Sequence, residues 1–270
     1  MELILFRIAL GAYLLSAVGY IASLFVGRVR AAKGSMWVLA LGFALHTGHI
    51  AVGWAGTAAL PSANIYGSLS FIAWAVAGSY LAFQTRTKTQ VLGAFVSPVV
   101  VVLMIAASAG LMDEAPIPAA LYGPLVPFHI VLLLTGGALF VLACLAGVMY
   151  LVQDRLIRGK KVRGLSRLLP PLGDLDRINH LCTIWGFPLL TFGIIAGSIW
   201  ARTVWGSDWH WDPKQVFTAV SWGLYAVLVH QRIAIGWKGR KAALLSIIAF
   251  AGLLFAFVGV NAFFVTMHRF

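Results

Sequence analysis

Apolar residues run along this chain in long blocks, separated by short polar or basic stretches. A helix that crosses a bilayer needs about 20 mostly apolar residues. Eight stretches satisfy that length: residues 4–27, 35–55, 67–84, 90–111, 127–152, 179–201, 215–234 and 242–265. Barrel strands would be shorter and would alternate with a period of two, which these runs do not. The pattern therefore predicts an all-α polytopic membrane protein of about eight transmembrane helices. Residues 1–270 read as a single transmembrane domain, with no soluble domain inserted. The first block does not read as a cleaved signal peptide. It lacks a basic leading region, outruns the usual apolar stretch, and is followed by Arg28 and Arg30. Pro170 and Pro171 should break any helix in the longest polar stretch, 153–178.

Composition excludes most other classes. Hydrophobic residues make up 61% of the chain and charged residues only 10%. So much apolar surface cannot be hidden inside a soluble fold of this size. The cysteines, Cys144 and Cys182, both sit in apolar runs, so there is no CxxC redox pair and no zinc knuckle.

Charge sets the expected orientation. Sixteen of the twenty basic residues fall in the stretches after the first, third, fifth and seventh blocks or, for Arg232, at the end of the seventh; seven of them lie between Arg155 and Arg177. Basic residues accumulate on the cytoplasmic side. Both termini are thus expected outside, on the periplasmic or extracytoplasmic face. The same asymmetry accounts for the net charge of +12 without nucleic acid. The basic 155–167 run suits an anionic lipid surface.

The outer 202–214 loop and its borders hold the most unusual chemistry. Trp200, Trp205, Trp209 and Trp211 lie within sixteen residues, mixed with Gly206, Asp208, His210 and Asp212. Tryptophan gathers at membrane interfaces, so one reading is an aromatic belt. The other is a flat aromatic shelf for a flat amphipathic ligand such as a porphyrin. Asp212, Pro213 and Gln215 suit the N-cap, N1 and N3 positions of a helix start, so Asp212 reads first as a cap.

Four histidines stand out. His129 begins the fifth block and His268 follows the eighth, both level with the tryptophan loop. They read as ordinary interfacial histidines or as axial ligands to haem iron. His46 and His230 fall within the second and seventh blocks, where a titratable side chain points either to function or to a helix–helix hydrogen bond. His46 is eleven residues from Ser35, about 16 Å along a helix. His49, one turn away on the same face, competes with it.

These residues carry a family resemblance. The run Trp205-Gly206-Ser207-Asp208-Trp209-His210-Trp211-Asp212-Pro213-Lys214-Gln215 resembles the WWD signature of haem-handling proteins, WGxxWxWDPKE, in its CcsA/ResC form. Gly193 through Ala201 resembles the family's GxxxGxxWA approach. Tyr225 to His230, with Arg232 and Gly236-Trp237, resembles YxxxLHxRxxxGW. Pro61 to Leu69 resembles PxSNxYESL, and Gly259 to His268 resembles GVNxxxxxxH. This chain departs from the pattern at Gln215 and Gly67, each in place of a Glu. An arginine expected between His46 and Pro61 is also absent, which leaves Asn64 and Tyr66 as neutral partners.

The resemblance implies a haem-exporting and haem-presenting subunit of a system II cytochrome c synthase in the bacterial plasma membrane. Its cofactor would be haem b. His129 and His268 would hold the outer iron, and His46 and His230 an inner one. Trp200, Trp205, Trp209 and Trp211 would carry the ring, with Asp212 fixing the loop. Implied partners are a ResB/Ccs1-type membrane subunit, an apocytochrome c CxxCH segment and a thioredoxin-like thiol reductant. Two other functions remain compatible with the residues: a membrane haem chaperone or regulator of haem synthesis without ligation activity, and a small-molecule permease.

Overall fold

The computed structural model describes residues 1–26, 29–57, 64–86, 90–110, 125–160 and 168–265. The described residues form helices and no strands. Two compact units divide the chain, Met1–Leu121 and Tyr122–Phe270.

The first unit contains α1 (Glu2–Val26), α2 (Val29–Thr57), α3 (Ile65–Arg86) and α4 (Gln90–Ser108). Buried positions on α1 are Phe6, Ala9, Tyr13, Ser16, Ala17 and Tyr20. Those on α2 are Ala32, Ser35, Leu39, Gly42, His46, His49 and Gly53. Both sets step by three and four residues, the spacing that keeps one seam of a helix against a partner. Gly42 lies beneath the Tyr13 ring, where a Cβ would collide. The Tyr20 and Tyr80 hydroxyls meet at 3.0 Å, so both buried phenols are satisfied. Asn64 caps α3, its Oδ1 accepting from the Gly67 N–H at 2.7 Å.

The second unit contains α5 (Leu125–Arg158), α6 (Leu172–Trp205), α7 (Pro213–Ala234) and α8. Helix α8 runs Arg240–Leu254, passes through a π-helical turn at Phe255–Gly259, and ends with Val260–Phe263. Glycines let α5 and α6 approach closely. A Cβ on Gly136 would press on the Gly186 carbonyl and the Leu190 N–H, and one on Gly193 would meet Leu133. Such small-residue contacts replace the hydrophobic drive that lipid surroundings remove. Phe140 and Tyr225 stack at 3.6 Å between centroids, in a core with Leu190, Leu228, Ala242 and Ala249.

Among the described residues, seven helices are long and apolar enough to cross a membrane: α1 to α6, and α8 as Arg240–Phe263. The protein is a multi-pass membrane protein. Helix α7 has the length, but Lys214, Gln215, His230, Gln231 and Arg232 make its two ends polar. Helices α5 and α6 both run further than their apolar blocks predict, to Arg158 and from Leu172. Helix formation continues past the apolar stretch where polar side chains pair along the same face. Arg158 Nε donates to both carboxylate oxygens of Asp154 at 3.0 Å. Pro171 stands at the N-cap of α6, as the proline break predicts.

Candidate functional site

The tryptophan-rich segment is built from the end of α6, the start of α7 and the turn between them. Gly206 closes α6 in the left-handed conformation, φ 77°, with its N–H donating to Arg202 O. Asp212 starts α7 as predicted: buried, its Oδ2 accepts from the Lys214 N–H at 3.1 Å. Burial pushes the Lys214 ammonium below its ordinary value, while the Asp212 carboxylate opposes that shift. Gln215 does not close a simple capping box. Its Oε1 reaches further back and accepts from the His210 N–H at 2.9 Å. That bond ties the middle of the loop to the first turn of α7.

The turn fixes an array of rings. Trp200 is buried, and Trp205 meets it edge to face at 5.2 Å between centroids. His210 packs edge-on to Trp205 at 5.8 Å, and Trp209 to Trp211 at 5.6 Å. Trp211 is 77% exposed and has φ 55°. A bulky residue in that region pays about 1–2 kcal/mol of backbone strain. Such strain persists where surrounding structure dictates it, often at ligand sites. Trp209 Nε1 and His210 Nδ1 are buried without a hydrogen-bond partner among the described residues.

His129 joins this array from α5. Its Nδ1 lies 2.8 Å from the Gly193 carbonyl, so Nδ1 carries the proton and donates. The lone pair is then on Nε2, the nitrogen available to a metal. The His129 ring sits over Gly197, where any Cβ would strike it, and is near-parallel to Trp200 at 6.4 Å. His129, Trp200, Trp205 and His210 thus form one continuous aromatic chain. His268 lies outside the described residues, as does Pro61. The last described turns of α8 pack Phe255 and Phe264 against Phe217 at the start of α7.

The two histidines expected within the apolar blocks have different settings. His46 is fully buried in the first unit. Its Nε2 lies 2.9 Å from Ser70 Oγ and its Nδ1 3.4 Å from the Tyr13 hydroxyl. His49 is buried beside it, rings 5.9 Å apart, with Nδ1 3.3 Å from the Glu2 carbonyl. His230 belongs to the second unit and is exposed on α7. Two residues on, the opposite face of α7 buries Arg232. Its guanidinium bonds Asp176 at 3.2 Å and Asn179 Oδ1 at 2.6 Å. Asn179 in turn donates to Ala143 O and Ser246 Oγ, so one node links all four helices of this unit.

Among the described residues, no group of three or more His, Cys, Asp or Glu could hold a bare metal ion. A haem iron needs fewer protein donors, because the porphyrin supplies four nitrogens and the protein only the axial ones.

Residues 62–268 match the family described as Cytochrome C assembly protein. The chain belongs to the cytochrome c assembly family. Membership assigns it a role in cytochrome c biogenesis. Curated relatives named Cytochrome c biogenesis protein CcsA are similar over most of their length. The one from Pyropia yezoensis is 28% identical over 247 residues, 77% of each chain. That from Gloeobacter violaceus is 28% identical, spanning 83% of this chain and 82% of the relative. That from Synechocystis is 26% identical, spanning 90% and 88%. The family match includes His129, the tryptophan loop, His230 and His268, while His46 precedes it.

Sequence reasoning reached His129, the tryptophans and the Asp212 cap. It did not reach Gly193 and Gly197 as the seat of His129, although both belong to the motif that leads into the loop. It missed Tyr13 and Ser70 around His46, for which no local signal exists. Asn64 and Tyr66, expected as neutral ligand partners, have structural work: Asn64 caps α3, and the Tyr66 ring packs against Gly110.

Proposed function

We propose that this protein carries haem b across the plasma membrane and presents it at the outer face for attachment to apocytochrome c. The observation that carries the reading is the seat of His129. A carbonyl fixes its tautomer, a glycine makes room for its ring, and Nε2 is left as the donor at the edge of the tryptophan array. A hydrogen bond from the second ring nitrogen to a carbonyl is the usual way to orient a metal-binding histidine.

In this reading His129 and His268 would hold the iron of the outer haem. Trp200, Trp205, Trp209 and Trp211 hold the porphyrin by apolar and edge contacts. The unpartnered Trp209 Nε1 and His210 Nδ1 suit the propionate oxygens of a haem, because a buried donor gains most from an anionic acceptor. His46 and His230 would be the inner haem ligands. The haem and the substrate thiols supply the bond-forming chemistry. The chain binds, orients and shields.

A ResB-type subunit, an apocytochrome CxxCH segment and a thioredoxin-like reductant complete the pathway. The reductant is required because Cys144 and Cys182 are isolated thiols within helices. The deciding experiment is the visible spectrum of the purified protein, before and after haem titration. A Soret band that shifts in His129→Ala is expected. A colourless protein that takes up no haem would refute the reading and return the tryptophan loop to an interfacial belt or a permease shelf.

A further inference from the structure

The two units repeat each other. Helix α2 of the first and α6 of the second share the run Gly-Phe-x-Leu-x-Thr-x-x-Ile-x-x-Gly, from Gly42 to Gly53 and from Gly186 to Gly197. The structure puts the shared residues to the same use. Thr47 Oγ1 donates to the Phe43 carbonyl and Thr191 Oγ1 to the Phe187 carbonyl, both at 2.8 Å. Each threonine oxygen then accepts an indole N–H from the third helix of its unit, Trp74 Nε1 at 2.8 Å and Trp222 Nε1 at 2.9 Å. Each indole stacks on the phenylalanine, 5.4 Å from Phe43 and 5.7 Å from Phe187 between centroids. The glycine that opens the run lies against a ring of the first helix, Gly42 against Tyr13 and Gly186 against Phe140. Ten residues before each tryptophan stands the side chain that caps its helix, Asn64 and Asp212. In the same register, the corner where His129 meets the Gly193 carbonyl matches the one where His49 meets the Glu2 carbonyl, with the two helices exchanging roles. Helix packing in lipid asks only for small residues and a few polar links. It does not call for the same three side chains in the same register twice.

We propose that the two units are copies of one four-helix frame, and that Phe187, Thr191 and Trp222 are positioning residues for the tryptophan loop, which only the second copy carries. From the closing glycine of the run to the cap, the second copy is longer by four residues, about one helical turn. That extra turn ends α6 at Trp205, and the loop beyond it holds Trp209, His210 and Trp211. The corresponding stretch of the first copy, residues 58–63, contains no aromatic residue. The clasp of threonine, phenylalanine and indole precedes the insertion in α6 and follows it in α7. It therefore fixes the rotation of one helix against the other whatever joins them. In the second copy, the start of α7 held in this way carries Asp212 and Gln215, and Gln215 accepts from the His210 N–H. A rotation of α7 reaches the ring array through that bond. In the first copy the same rotation reaches no tryptophan cluster. The affinity readout below rests on the reading of the outer haem site; the exchange and stability readouts do not.

The test makes the same substitution in each copy of the full-length protein in detergent. Thr47→Val and Thr191→Val keep the shape of the side chain and remove the hydroxyl that accepts from the indole. Each loses one hydrogen bond of the same kind, so both are expected to lower the melting temperature by a similar few degrees. Only Thr191→Val is expected to weaken the His129-dependent part of haem binding, by about 2- to 10-fold in a Soret titration. Only Thr191→Val is expected to speed hydrogen exchange at the His210 amide. Thr191→Ser keeps the hydroxyl and is expected to restore the parent values. A fall in melting temperature from one threonine variant without the other overturns the shared frame. Equal haem binding and equal His210 exchange in the two variants overturn the positioning role. If neither variant folds, Trp74→Phe and Trp222→Phe, which keep a stacked ring, are read by the same criteria. His129→Ala separates this proposal from the reading of the outer site. If haem binding is unchanged there, that reading fails, and His210 exchange alone decides the role of the clasp.

Discussion

The His129 Nδ1–H donates to the main-chain carbonyl of Gly193 at 2.8 Å, a bond that spans 64 residues of sequence. Gly193 and Gly197 sit one helical turn apart on α6. The first supplies the acceptor, and the second leaves the space that the imidazole fills. The orientation of the proposed outer ligand is therefore written into the α5–α6 packing rather than into the loop.

Gly197→Ala should displace the imidazole, because a Cβ there strikes the ring. Loss of orientation around a ligating histidine typically costs 10- to 100-fold in affinity. Haem retention by the purified variant should fall by roughly that range, with cytochrome c assembly falling alongside. Gly137→Ala, on α5 with open space around it, should leave both unchanged. Equal behaviour of the two variants would show that the His129 seat has no role.

Removing an axial ligand should leave an open coordination position on a ring that the tryptophans still hold. His129→Gly and His268→Gly should each lose cytochrome c assembly and regain part of it with added imidazole, which supplies the same nitrogen donor. His210→Gly should show no imidazole dependence, because His210 faces Trp205 and its backbone serves Gln215. Imidazole rescue of His210→Gly, and not of His129→Gly, would reverse the assignment.

The bond from the His210 N–H to Gln215 Oε1 explains how a glutamine can stand where the family pattern has glutamate. Either side chain offers the acceptor oxygen. Gln215→Glu should therefore retain haem content and thermal stability. Gln215→Ala should lose about 1 kcal/mol of local stability, and Asp212→Ala a similar amount through its lost N-cap. Hydrogen exchange at the His210 amide separates the two. It should rise sharply in Gln215→Ala and much less in Asp212→Ala.

Arg232 is 2% exposed in its side chain and depends on Asp176, itself 17% exposed, for charge balance. Asp176→Ala leaves a buried cation unpaired, which costs about 3 kcal/mol or more. The thermal melting temperature in detergent should drop clearly. The double variant Asp176→Ala, Arg232→Met should recover most of the loss, since removing both charges is often close to neutral. A double variant no more stable than Asp176→Ala would show that Arg232 contributes through its other contacts, such as Asn179.

What the sequence alone determined is local in origin. The length of each apolar block dictates a helix, and Asp212-Pro213 dictates where α7 begins, because capping involves groups a few residues apart. The clustering of Trp200, Trp205, Trp209 and Trp211 was visible for the same reason. Only the tertiary structure decided what lies across from each side chain. Along α2, His46 and His49 share the buried seam equally, and nothing near them in sequence shows that Tyr13 and Ser70 flank one of them. The seat of His129 depends on the rotation of α6 against α5, set by glycines that admit close backbone approach. Asp154–Arg158 pairing carried α5 beyond its apolar block, and Gln215 chose the His210 amide over the nearer cap position. In each case the chain leaves several partners open to a side chain, and packing selects one of them, because a close-packed interior tolerates few arrangements.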